Sequence, residues 1–448
     1  MKKINLLILI AVSILFITSC EPTIDNPIGT GSLGSLSTNK DSLVYVAIGN
    51  SITAGYMDGA VYSEGQKYSF PNLLATQLGI TNFIQPGIEG EGLGMRFKFK
   101  GFTSTGSPIL DKLILPEINV SNASYPKPFN NLGVPAAIVY DLIDTVEFAQ
   151  KTYALKNPFY FAVLRFGDKY GKSIIDQAIK LKPSLITLEM GANDVLLYAT
   201  TGGTMSTTQV GGKYVPTPAT ALLGLYQAAL TKLTQALPNT KILLFTVPEV
   251  TNVPFFKTVP WNALVLTDTL QVKGLNAAYS GLFKFNLGAN GFIAADPYSQ
   301  YKMRQLKAGD AVLLQVPQDS LAKFYMGSKY PIPKQYVLFG DEIDTVKKAV
   351  SDYNEKIRTL TSISQNIKIF DLDDVFVKLL SSGYPVPGST TLNASYIAGE
   401  LFSTDGIHPT PRGYGVIANE LIKFINTNYG SDIPHVRLQN LPAITVYK

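Results

Sequence analysis

The stretch SLVYVAIGNSITAG, residues 42–55, decides how this chain folds. Its first eight residues are almost wholly apolar, and the run breaks at Gly49-Asn50-Ser51 into small and polar residues. A short continuous apolar run of this kind predicts a strand buried on both faces, as in parallel sheets covered by helices on each side. A serine just past the C-terminal end of such a strand stands where open α/β sheets present reactive groups.

Outward from this point the same rhythm returns. FPNLLATQLG, residues 70–79, reads as a helix with Pro near its start, followed by an apolar segment ending near Gln85. A helix at about 171–182 leads into PSLITLEM, residues 183–190, which stops at Gly191-Ala192-Asn193-Asp194. A helix at about 218–236 leads to KILLFTVP, and a charged helix at about 345–363 to IKIFDL, the expected fifth strand. A last helix is expected at about 412–427. Strands alternating with helices mean parallel pairing, so the expected fold is a three-layer α/β/α sandwich with a parallel, flavodoxin-like sheet.

DGIHPT, residues 405–410, holds one of only two histidines in the chain. An Asp three positions before a His in a Gly/Pro loop is able to hold and polarise the imidazole, which is half of a Ser-His-Asp arrangement. Taken singly, each of these features has a plainer explanation. Ser after a strand is usually a turn residue, Asn-Asp after a strand usually caps a helix, and a lone His in a loop usually sits on the surface. Their joint occurrence, each at a strand end or loop boundary, favours chemistry. Ser51 would be the nucleophile, His408 its base and Asp405 the group that fixes the imidazole tautomer. His435 lies beyond the last expected helix.

GNSITAG, GAND and DGIHPT, in that order, resemble the first, third and fifth signature blocks of the SGNH (GDSL-type) hydrolases, and NNLGVPAA at 130–137 resembles the second. The resemblance implies a serine esterase working through an acyl-enzyme without metal or cofactor. It also implies an oxyanion hole built from the backbone N–H groups of Ser51 and Ala136 and the side-chain amide of Asn193. Two departures stand out. Asn50 replaces the usual Asp, keeping shape and losing charge. Ala136 replaces the usual Gly, which carries a steric penalty if the site requires a positive φ.

The N-terminus reads as a targeting segment. Lys2 and Lys3 precede a mostly apolar stretch, Ile4 to Thr18, which is short for a membrane span, and Ile17-Thr18-Ser19-Cys20 resembles a bacterial lipoprotein signal. Cys20, the single cysteine, is the expected lipidation site; an ordinary secretory signal is the alternative. Residues 1–20 are the expected signal peptide and 21–40, rich in Pro, Gly, Ser, Thr and Asn, a flexible tether. The hydrolase domain is expected over 41–430, with insertions near 88–128 and 252–344, and 431–448 as a tail. The insertions would form either a lid over the site or decoration away from it.

Without Lys2 and Lys3, 36 of the 38 Lys and Arg face 33 Asp and Glu, a net charge of about +3 that gives no reason to invoke nucleic acid. Two histidines 27 positions apart make no metal-ligand cluster. The expected protein is a lipid-anchored esterase of the cell envelope, at the outer membrane, touching the membrane through its lipid alone. Its substrate would be a small-molecule or glycan ester; O-deacetylation of carbohydrates is one of several activities the resemblance allows. The alternative is a non-catalytic lipoprotein using the same fold to hold a glycan or a partner.

Overall fold

The run at residues 42–55 forms strand β1 (Tyr45–Gly49), buried at every position, followed by a single helical turn, α1 (Ser51–Ala54). The computed structural model describes residues 31–37, 42–104, 107–115, 119–146, 157–386 and 391–447. Cys20 and the expected signal peptide lie outside these residues. Beside β1 stand β2 (Asn131–Gly133), β3 (Leu185–Glu189), β4 (Lys241–Phe245) and β5 (Ile367–Phe370) in one parallel sheet of order β5-β4-β3-β1-β2. This is the 2-1-3-4-5 order of flavodoxin-like sheets, whose ligands bind where the order reverses, between β1 and β3.

Helices cover both faces. One layer holds α3 (Ile174–Leu181), α5 (Ala219–Ala236) and α6 (Gly340–Thr359); the other holds α2 (Phe70–Gln77), α7 (Leu372–Ser382) and α8 (Pro411–Tyr429). Between β3 and α5 lies α4 (Asn193–Thr200). The core between sheet and helices includes Tyr45, Phe70, Tyr226, Phe245, Tyr353 and Tyr414, all fully enclosed. Register matters for function: Gly49 pairs with Gly133 on one side and Glu189 on the other, so three strands end in one row.

The structure departs from sequence expectation in three places. The apolar segment ending near Gln85 adds no strand to the sheet; the sheet edge is Asn131–Gly133, within the second signature block, and Ile84 meets that edge by accepting the N–H groups of Asn130 and Asn131 and donating its own N–H to Asn130 Oδ1. Helix α6 starts at Gly340, inside the expected second insertion, because the Glu342 carboxylate caps it by accepting Phe339 N–H. Part of the expected tether is folded: Leu33 and Leu36 are buried, and Ser35 Oγ donates to Tyr429 O at the end of α8.

The two long excursions from the sheet both reach the loop that carries Asp405 and His408. From residues 88–128 rises a hairpin of Leu93–Phe102 against Pro108–Leu115, whose Phe97 carbonyl accepts the Thr404 hydroxyl. From 252–344 comes a short helix, Pro254–Lys257, whose Phe255 N–H donates to Gly406 O. The rest of that second excursion packs around a core of its own, including Phe292, Leu306, Val312, Ile332 and Phe339.

Candidate active site

Ser51 opens α1 directly after β1. Asn50 caps the turn, its Oδ1 accepting Ile52 N–H at 3.2 Å, and Gly55 ends it at φ +77°. The serine is enclosed, with 7% of its surface exposed. Its Oγ lies 2.9 Å from His408 Nε2, across 357 residues of sequence.

The His408 loop is held by its own backbone. Asp405 Oδ1 accepts the N–H groups of Ile407 and His408 at 2.9 and 2.8 Å, and Ser403 N–H closes the loop on His408 O. Asp405 Oδ2 accepts Gly59 N–H at 3.0 Å and meets His408 Nδ1 at 2.9 Å. With Nδ1 donating to the carboxylate, Nε2 is left as the acceptor for the Ser51 hydroxyl. Burial pushes the Asp405 pKa up, but the facing His408 charge and these hydrogen bonds outweigh it, so the carboxyl is held below its usual range. Tyr56 packs its ring 4.5 Å from the His408 ring, limiting imidazole rotation.

One supporting residue escaped the sequence reading. Asp58, at φ +54°, accepts Thr404 N–H and Oγ1–H on Oδ1 and the Tyr62 hydroxyl on Oδ2, while its own N–H donates to Ser403 Oγ. It thus fastens the turn after α1 to the loop holding the base. A half-buried Asp inside a turn of ordinary composition leaves no periodic signal; only its neighbour Gly59 hints at an unusual backbone.

The expected oxyanion donors also converge. Ala136 has φ +63° and its methyl faces outward. Among the described residues, neither the Ser51 nor the Ala136 N–H finds an acceptor. Asn193 Nδ2 donates to Ala137 O at 2.9 Å, which fixes the amide beside Ala136 and leaves its second hydrogen uncommitted. Gly191, at φ +101°, makes the turn into α4 possible; a Cβ there would stand 2.8 Å from Val247. The next residue, Asp194, is buried and accepts Val139 N–H at 2.9 Å, tying α4 to the segment that follows Ala136.

All the residues expected from the first, second, third and fifth blocks thus meet at the ends of β1, β2 and β3. The model of the GDSL-like lipase/acylhydrolase family matches residues 45–421, the span that contains every one of them. The chain belongs to the GDSL-like lipase/acylhydrolase family. It is an ester hydrolase. Among solved structures, this GDSL-like hydrolase is similar to one described as a GDSL-like lipase from Parabacteroides merdae, at 14% identity and a TM-score of 0.33, covering 86% of this chain and 95% of that one. It is also similar to a carbohydrate esterase family 3 structure from Talaromyces cellulolyticus, at 12% identity and a TM-score of 0.29, covering 86% and 99%. No curated protein matches the chain.

Proposed function

We propose that this ester hydrolase cleaves carboxylic esters through a covalent acyl-Ser51 intermediate. The observation that carries the reading is the unbroken hydrogen-bonded line from Ser51 Oγ through His408 to Asp405, with both links at 2.9 Å. His408 Nε2 removes the hydroxyl proton as Ser51 attacks the carbonyl, then returns it to the leaving alcohol. Asp405 holds the imidazole tautomer and balances the imidazolium. The N–H groups of Ser51 and Ala136 and the amide of Asn193 receive the oxyanion, each donor worth about 3 to 4 kcal/mol in such sites. Water, activated by the same His408, then releases the acid.

The proposed substrate is a short-chain ester, with O-acetyl groups on carbohydrate as the favoured class. The proposed location is the cell envelope, with the chain lipidated at Cys20 and held at the outer membrane. The Lys2-Lys3 start, the apolar run and the cysteine support this.

The test is purified protein starting at Glu21, assayed on acetyl and longer-chain aryl esters with and without a serine-reactive phosphonate. The expected result is hydrolysis fastest on acetyl, blocked by phosphonate attached to Ser51, and lost by roughly a thousandfold or more in Ser51→Ala and in His408→Ala. If Ser51→Ala keeps more than a few per cent of turnover, the acyl-Ser51 mechanism is refuted.

A further inference from the structure

Behind the nucleophile turn lies a carboxyl group that the triad does not use. Glu189 ends β3 in register with Gly49 and is 2% exposed. A single oxygen, Oε2, accepts the Thr53 hydroxyl at 3.1 Å and Asn50 N–H at 3.4 Å. These two donors flank Ser51 on the same turn. Asn50 also reaches the nucleophile itself, its Oδ1 lying 3.5 Å from Ser51 Oγ. The packing leaves no slack: a Cβ on Gly49 would stand 2.0 Å from Thr53 Oγ1 and 2.7 Å from Glu189 O.

We propose that Glu189 is a positioning residue for ester hydrolysis and acts in its uncharged form, gripping Asn50 N–H and the Thr53 hydroxyl so that Ser51 Oγ stays in line with His408 Nε2. The proposal rests on Ser51 being the nucleophile.

The surroundings argue for the uncharged form. A carboxylate this deep needs a cation, and among the described residues none faces it. The titratable groups turned toward it from the packed elements are phenols, Tyr226 on α5 and Tyr414 on α8. Burial lifts both well above the ordinary phenol range, so neither changes charge in the working range; their hydroxyls donate to Met190 O and Tyr56 O. The charges farther out, Asp405 and Asp58 beside Tyr414 and Asp194 beside Tyr226, are carboxyls too. Burial raises the Glu189 carboxyl to about 8, against hydrogen bonds from Thr53 and Asn50 that pull it down. An amide at position 50 suits this neighbour, since Asp there would place a second acid against it. Asn50 Nδ2 is buried with no acceptor at full hydrogen-bond geometry among the described residues, yet its amide lies close enough to Glu189 to pull that carboxyl's pKa down.

The experiment compares wild type, Glu189→Gln and Glu189→Ala in kcat and KM on an acetyl aryl ester from about pH 6 to about pH 10, with phosphonate labelling of Ser51 in parallel. Wild-type kcat is expected to fall as pH rises through about 8, where Glu189 ionises, with KM little changed. Glu189→Gln keeps an acceptor for both donors and has no proton to lose, so its kcat stays within about threefold at neutral pH and lacks that alkaline fall. Glu189→Ala loses about tenfold or more in kcat at unchanged KM. An alkaline fall that persists in Glu189→Gln overturns the proposal, whether or not Glu189→Ala folds. If wild type is not labelled at Ser51, the nucleophile assignment and this proposal fall together; labelled wild type with the fall intact in Glu189→Gln removes only the role of Glu189.

Discussion

Asp405 is where one atom decides most. Its two oxygens take three backbone N–H groups and His408 Nδ1, four donors in all. Each oxygen takes two of these donors, so Asp405→Asn leaves two contacts donor against donor, and an amide nitrogen in the Oδ2 place frees both Gly59 N–H and the imidazole tautomer. The expected effect is a fall in kcat of roughly 10⁴ at unchanged KM, with about 1 to 3 kcal/mol of stability lost, read from turnover and denaturant midpoints. Ala136 offers the opposite case. Its φ of +63° strains an L-residue by about 1 kcal/mol or more, while glycine restores freedom to the unfolded chain at a cost of similar size. Ala136→Gly is therefore expected to leave stability unchanged or raise it by up to about 1 kcal/mol, with kcat equal or up to about fivefold higher, whereas Ala136→Val loses more than about 1 kcal/mol. A clear loss of stability in the glycine variant would show that this backbone carries no strain. Ser51, His408, Asp405 and Asn193 were legible in the sequence because each sits two or three residues beyond an apolar run or inside a Gly/Pro loop. The sign of φ at Ala136 was not, since it depends on how the chain is bent by Val134 N–H on Gly49 O and Asn157 on Pro135 O. Glu189 was hidden for another reason: it lies inside the apolar run PSLITLEM, where its charge reads as an interruption of the strand.

At the scale of elements, long apolar strands and amphipathic helices declared themselves, and the short edge strand did not. Asn131–Gly133 has three residues, begins with Asn and is held partly by side chains, Asn131 Nδ2 donating to Thr53 O and Asn130 Nδ2 to Tyr45 O. Such a strand has no periodicity to detect; its register with β1 is a tertiary fact. The joint between α4 and the segment after β2 depends on Asp194, whose carboxyl burial raises to about 7, with nearby Asp141 adding to the shift and Val139 N–H opposing it. A carboxyl whose pKa is raised on folding stabilises the fold fully below its unfolded value of 3.8, and that contribution is lost as pH rises through about 7. Asp194→Asn cannot titrate. Its melting temperature relative to wild type is therefore expected to climb between about pH 4 and about pH 7 and to level off above that. A difference that stays flat across that range would mean that Asp194 does not carry a raised pKa.

On the scale of the whole molecule, segments remote in sequence close around the sheet, and the N-terminal one gives the simplest measurement. Residues 31–37 lie against the end of α8: Leu33 and Leu36 are 5% and 6% exposed, Asp432 N–H donates to Ser32 O at 2.8 Å, and Ser35 Oγ to Tyr429 O at 3.1 Å. The far end of the chain covers the same helix from the side, with Leu438 and Leu441 buried and Asn419 Nδ2 donating to Val436 O. Composition hid the first of these contacts. Gly, Ser and Thr dominate residues 30–42, and two leucines among them form no periodic signal, yet they are what the helix end needs to stay dry. Burying a leucine contributes about 1.5 to 3 kcal/mol, so a chain starting at Asp41 is expected to be less stable by roughly 3 to 6 kcal/mol than one starting at Glu21. The urea midpoint should move accordingly, while specific activity at low temperature stays the same because neither leucine touches Ser51, His408 or Asp405. Equal midpoints for the two chains would show that this segment only lies on the surface. The proposed lipid anchor then imposes a geometric limit: only the residues between Cys20 and about 31 remain to separate membrane from fold. At about 3.3 to 3.6 Å per extended residue they span at most about 40 Å. Cys20→Ser is expected to release the protein from membranes without changing kcat on soluble esters, measured by fractionation and turnover on the same samples; retention on membranes in that variant would refute the anchor.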